Sequence, residues 1–169
     1  MTKEQVIIVD KNDNIIWHKD RSTLIFPQDI YRVSALRIEN SKWEILIAQR
    51  SFTKKNQGWV RGPATAWTNA KGETYELNII KEAQEEIWLE LINYKLWPKQ
   101  FIKSENKNRR YFCQRFIANI DQDINKFVLQ KEEVAAVQRI SKEKLQNRVK
   151  NKPEEFTSNA NEYINLFCK

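Results

Sequence analysis

Apolar positions recur with two different rhythms along this chain, and the change of rhythm divides it into elements. Gln5–Val9 is apolar and β-branched and reads as a strand. Lys11-Asn12-Asp13-Asn14 is a turn cluster, and Ile15-Ile16 opens a return strand, which predicts an N-terminal hairpin. Residues 30–38 alternate as a core strand, and Asn40-Ser41-Lys42-Trp43 turns the chain into a further strand at Glu44–Arg50. Residues 51–58 form a polar loop, and residues 62–68 a short strand. The period then lengthens. Residues 73–88 read as a helix whose core-facing stripe is Leu77, Ile80, Ala83 and Ile87. Residues 91–103 and 111–119 read as two strands joined by a basic loop, and residues 134–140 as another strand. Ser141 starts a short helix. Pro153 begins the last helix, with Ile164 and Phe167 facing inward. Strands interrupted by one helix and followed by others imply an α/β or α+β sandwich.

At 169 residues the chain fits a single domain spanning 1–169 with one sizeable core. No apolar run approaches the length of a membrane span, so no membrane partner is expected. The N-terminus leads straight into a strand, which suggests no signal peptide and makes a cytoplasmic location the expectation. Cys113 and Cys168 are far apart and suggest no disulfide framework. His18 is the only histidine, which argues against His-based metal sites and against Ser-His-Asp or Cys-His chemistry. The net charge of +7 can steer anionic substrates toward the protein. It can also mark nucleic-acid binding, with Lys103, Lys107, Arg109, Arg110 and Arg115 as the densest cluster and Tyr111 and Phe112 available for stacking. The lysines are spread along the chain, so nucleic acid is not the favoured partner. The sequence sets no oligomeric state.

The chemistry concentrates in Lys81-Glu82-Ala83-Gln84-Glu85-Glu86. On a helix, Glu82, Glu85 and Glu86 at i, i+3 and i+4 share one face. Such charge runs are commonly solvated faces, and like charges repel. A divalent cation turns that repulsion into a site. Oxygen ligands on a rigid element suit a hard ion such as Mg²⁺, with Mn²⁺ the alternative.

The wider pattern Trp67-x5-Glu73-x7-Lys81-Glu82-Ala83-x-Glu85-Glu86-x-Trp88-Leu89 resembles the Nudix box, G-x5-E-x7-R-E-U-x-E-E-x-G-U with U aliphatic. Every acidic position is in register; Trp67, Lys81 and Trp88 depart from Gly, Arg and Gly. The resemblance implies an α/β/α sandwich with a mixed sheet and hydrolysis of a small-molecule diphosphate, such as a nucleoside diphosphate derivative. It implies that Glu82, Glu85 and Glu86 hold the metal and that Glu73 orients the helix. The general base would be Glu82 or an acid on a later loop, where Glu133 is preferred to its neighbour Glu132. Lys81 supplies a point charge in place of the planar Arg fork. Residues 9–14, 31–35, 46–51 and 153–157 further resemble the branch related to isopentenyl-diphosphate isomerase. That enzyme's Cys-Gly-His segment reads Ala66-Trp67-Thr68 here, and Tyr31 stands where it has His. Hydrolysis is therefore expected over isomerisation. A silent domain with an RNA-binding or regulatory role is the remaining alternative.

The tryptophans form a second pattern. The chain has six Trp and three Gly, where roughly twelve Gly would be ordinary. Trp67 and Trp88 fill both glycine positions of the box, and Trp17, Trp43 and Trp97 fall where turns through Gly are expected. Only Trp59 stands where the resemblance expects an aromatic residue. Trp88 would cap the helix in the left-handed conformation, costing about 1–2 kcal/mol. UGA encodes Trp in some genetic codes and Gly in others, and a UGA-for-Gly gene read with the wrong table yields this pattern. Finding UGG at codons 67 and 88 would exclude it. The competing account is a degenerate homologue, which the intact Glu82, Glu85 and Glu86 argue against.

Overall fold

The strand at residues 30–39 is the hub of the molecule, because four other strands hydrogen-bond to it. The structure is a computed structural model describing residues 4–55, 57–104, 108–158, 160, 161 and 164. Its strands are β1 (Gln5–Val9), β2 (Ile15–Asp20), β3 (Ile30–Glu39), β4 (Glu44–Arg50), β5 (Arg61–Pro63), β6 (Thr65–Thr68), β7 (Lys95–Ser104), β8 (Arg109–Asn119) and β9 (Val134–Ser141). The helices are α1 (Tyr75–Ile87) and α2 (Lys142–Asn151). All nine strands join one sheet. β8 runs parallel to β3 from Ile30↔Arg110 to Glu39↔Asn119, whereas β1, β4 and β6 pair with it antiparallel. β2 extends the sheet from β1, β5 and β9 from β4, and β7 from β8.

Alternation along the central strands sends neighbouring side chains to opposite faces. Leu36, Ile38 and Leu46 pack with Ile79, Ala83 and Ile87 of α1. Ala35, Ile45 and Ile47 pack with Leu145 and Val149 of α2. Both faces of the sheet are covered, so β4 reads as a nearly continuous apolar run. This mixed α+β architecture is the expected sandwich.

Several boundaries differ from the expectation. β2 continues to Asp20. Residues 62–68 are not one strand: β5 pairs with β4, and after Ala64 β6 pairs with β3. The strand expected from residue 91 begins at Lys95, while Leu91 is buried in the α1-side core. α1 starts at Tyr75, capped by Thr74, so Glu73 lies just before the helix. Leu77 is 57% exposed and is not a core residue, while Ile79 is fully buried. Ile79, Ala83 and Ile87 are four residues apart and stack on one stripe; Leu77 lies about 200° around the helix from Ile79. Pro153–Glu155 is a single 3₁₀ turn, and Ala160, Asn161 and Ile164 are helical. Ile164 packs against the α2-side core, and Phe167 lies outside the described residues.

Tyr111 and Phe112 are both buried, so they offer no surface platform for stacked bases. Lys107 lies outside the described residues. No helix among the described residues is long and apolar enough to cross a membrane. The tryptophans separate into classes. Trp43 (φ 60°) and Trp88 (φ 51°) adopt the left-handed conformation. So does Trp59 (φ 68°), where the sequence suggested an ordinary aromatic position. Trp17 sits inside β2 opposite Ile8, and Trp97 at the irregularity of β7, neither in a turn.

Candidate active site

The helix that carries the acidic residues is held firmly at its start. Glu73 accepts hydrogen bonds from the Ala70 amide and the Asn78 side chain, both at 2.8 Å. The Lys81 ammonium donates to its other oxygen at 3.2 Å. Burial opposes ionisation of Glu73, but these three donors outweigh it and hold the carboxyl below its usual range. Thr74 caps the helix by accepting from the Leu77 amide at 3.1 Å. Ser34 of β3 donates to the Tyr75 carbonyl at 2.8 Å, and Asn69 donates to the Thr74 carbonyl at 3.1 Å. Asp13, in the β1–β2 turn, accepts from Arg32 of β3 at 2.7 Å and from the Tyr75 hydroxyl at 3.1 Å. Lys99 of β7 also pairs with it. From sequence Asp13 was only a turn residue; nothing local signals that it ties the β1–β2 turn to β3, β7 and α1.

The three box glutamates are not equivalent. Glu86 is buried, Glu82 half-buried and Glu85 exposed. The Glu86 carboxyl is pushed up to about 8, chiefly by burial and then by the charges of Glu82 and Glu133, against the opposing Trp67 and Lys54. Burial likewise pushes Glu82 up to about 7, with Glu85 and Glu73 adding to it against Lys81. Lys81 lies 3.2 Å from Glu73 and 3.7 Å from Glu82, so its single charge touches two carboxylates without an Arg fork. Glu133 arrives from the segment before β9. The Gln130 amide donates to the Glu86 carbonyl at 2.9 Å, and the Ser51 amide to the Glu133 carbonyl at 2.9 Å. Lys54, from the 51–58 loop, pairs with the Glu133 carboxylate. Glu132 is exposed.

Glu86 and Glu133 line a cavity of about 670 Å³. Leu24, Phe26, Tyr31, Tyr111 and Arg109 line it as well. Glu82 and Glu85 are not among its lining residues. Trp67, in β6, also lines the cavity, with the Arg21 guanidinium 5.7 Å and the Lys54 ammonium 5.1 Å from its ring centroid. Its indole N–H lies near Glu86 but is buried without a hydrogen-bond partner.

Among the described residues, no three acidic, histidine or cysteine side chains converge as an enclosing cation site. The donor set nevertheless fits a hard divalent ion in kind. Two carboxylates on one helix are held in or near a cavity, and burial together with mutual repulsion disfavours their charge until a cation compensates it. Lys54, which the sequence did not single out, adds positive charge near Glu86, and Arg21 lies over the Trp67 ring.

None of the curated proteins matches the chain. Solved structures share its fold. The Deinococcus radiodurans protein DR0079 superposes with a TM-score of 0.82 at 18% identity, covering 98% of this chain and 100% of its own. A MutT protein from Methanosarcina mazei Go1 gives 0.66 at 15% identity, covering 86% and 96%. The Nudix domain of Shewanella oneidensis NrtR, solved with ADP ribose, gives 0.60 at 10% identity, covering 87% and 90%. At these identities the likeness speaks for the fold. The sequence itself matches the NUDIX domain model over residues 30–160, which includes β3, the whole of α1 and Glu133, and the chain therefore belongs to the Nudix family.

Proposed function

We propose that this protein hydrolyses a diphosphate linkage in a small-molecule substrate, with Mg²⁺ or Mn²⁺ as its cofactor. The observation that carries the reading is the buried carboxyl of Glu86 on α1, set in the wall of a cavity beside Glu133. Buried acids with so little compensating charge are costly to a fold, and they cluster where chemistry needs them. The compound present with the Shewanella domain, ADP ribose, is diphosphate-linked, which is in keeping with this substrate class.

Glu82, Glu85 and Glu86 would hold the ion, which when bound neutralises phosphate oxygens and polarises phosphorus toward attack. The remaining work belongs to the chain. Glu133 accepts a proton from the attacking water as the new P–O bond forms. The bridging P–O bond breaks, and its electron pair leaves with the departing phosphate. Lys54, paired with Glu133, keeps that carboxylate in place and presents positive charge to the leaving group. Glu73 holds the start of α1 and, through Lys81, the neighbourhood of Glu82.

The kinship to the isomerase branch rests on sequence resemblance alone. Ala66, Trp67, Thr68 and Tyr31 offer neither a thiol nor an imidazole to the cavity. Phosphate release from a panel of diphosphates with Mg²⁺ tests the hydrolase reading. Turnover abolished by Glu86→Gln supports it, and undiminished turnover in that variant refutes it. Ligand binding that survives the substitution without turnover in either form would favour a regulatory domain.

A further inference from the structure

Trp67 stands where the Nudix box has glycine, so any role of its side chain is particular to this chain. The sheet fixes its backbone: in β6 it is the register partner of Ser34 on the central strand β3. Its indole lines the cavity together with Glu86 and Glu133. Two cations steady the ring, and each is itself anchored. The Arg21 guanidinium, 5.7 Å from the ring centroid, pairs with Glu4 at 3.2 Å. The Lys54 ammonium, 5.1 Å from the centroid, pairs with Glu133. Yet the indole N–H is buried and has no hydrogen-bond partner among the described residues.

An indole nitrogen can only donate, and leaving a buried donor unpaired is costly. The acceptor in reach is the Glu86 carboxylate, whose charge the indole N–H favours against burial. A carboxylate has two oxygens, so it can accept from the indole on one and still offer the other to a cation. Outer donors of this kind fix the direction of a ligating carboxylate, and losing one typically costs about 10–100-fold in metal affinity. A mere space-filling ring would not need its N–H buried beside that acid.

We propose that Trp67 is a positioning residue of the cation site. A small turn of the indole or of the carboxyl closes its N–H onto one oxygen of Glu86 and leaves the other facing the cavity for the divalent ion. This rests on the reading of Glu86 as a metal ligand and adds an outer donor that the box pattern does not contain.

Two measurements on the full chain test the role, and neither uses turnover. The first is heteronuclear NMR of the native chain with its indole resonances assigned. Adding Mg²⁺ should move the Trp67 indole proton downfield, the direction of a strengthened hydrogen bond. The second is Mn²⁺ titration followed by electron paramagnetic resonance. Trp67→Phe removes the N–H and keeps a ring for Arg21 and Lys54; it should bind Mn²⁺ about tenfold or more weakly. Trp17→Phe, on β2, should bind it as the native chain does. Should Trp67→Phe fail to fold, the NMR measurement carries the test. An indole proton that stays in place or moves upfield overturns the proposal. So does a Trp67→Phe chain that binds Mn²⁺ as tightly as the native one, or more tightly. The two readings fail separately. A native chain that binds no Mn²⁺ removes the metal reading and the proposal with it; Mn²⁺ binding that ignores Trp67→Phe removes the role of Trp67 alone.

Discussion

The two ends of α1 are built by opposite means. At the start, Thr74 caps the helix, Glu76 lies in the first turn where the dipole favours an acid, and Glu73 and Asp13 gather donors from four segments of the chain. At the finish, Trp88 occupies the left-handed cap at φ 51° with its indole 66% exposed, so little packing offsets the strain. The last turn has no basic residue, and Glu82, Glu85 and Glu86 crowd the half where the dipole disfavours negative charge. The contrast separates stability from function. The start follows every local rule. The finish breaks several, and the acids that break them are those at the cavity. Trp88 breaks one with no visible gain.

Four experiments sharpen this contrast. The largest effect belongs to Glu86. Glu86→Gln should lower Mg²⁺-dependent turnover by about 100-fold or more while raising the metal-free melting temperature, because a carboxyl disfavoured by burial is replaced with a neutral amide. Kinetics and thermal melts on the same sample check both halves. A melting temperature that falls would place Glu86 with the stabilising start of the helix.

Next is Glu73→Gln, expected to cost about 1–3 kcal/mol through the loss of its charged hydrogen bonds. Its pH dependence has a definite sign. The folded carboxyl titrates below its ordinary value of 4.5, so its stabilisation is complete above that value and is lost as the pH falls through the folded one. Denaturant titrations between pH 7 and pH 3 should therefore show a shallower acid decline in the variant.

Trp88→Gly should stabilise by about 1–2 kcal/mol, and Trp43→Gly comparably, because both relieve a positive φ. Trp17→Gly is the internal contrast: in a strand interior it should destabilise by about 0.5–1 kcal/mol. Urea unfolding of the three variants separates relief of backbone strain from a general benefit of removing exposed indoles. Smallest is Thr74→Ala, expected to cost about 1 kcal/mol, measured in the same way.

The tryptophan pattern shows how far the sequence reaches. Trp43 and Trp88 were suspect from turn and cap rules alone, and both prove left-handed. Trp59 looked ordinary because its conformation depends on how the 51–58 loop enters β5, which no local pattern encodes; its amide donates to the Arg50 carbonyl at 3.2 Å, closing that loop on β4. For Trp17 and Trp97 the strands continue where a turn seemed due.

Local physics determined the rest of what could be read directly. Apolar alternation set the existence of β3 and a continuous apolar run that of β4, and the i, i+3, i+4 spacing put three glutamates on one helical face. Periodicity fixes the angles between side chains on an element but not which angle meets the sheet, and so Ile79 rather than Leu77 is buried. It also cannot bring distant residues together. Glu133 reaches Glu86 because a loop folds onto α1, Lys54 reaches Glu133 across nearly half of the chain, and Arg109 meets Phe26 because β8 lies parallel to β3. Those encounters depend on long-range closure of the chain. The residue types for a site were therefore present in the sequence, but tertiary packing alone decided which of them share a cavity.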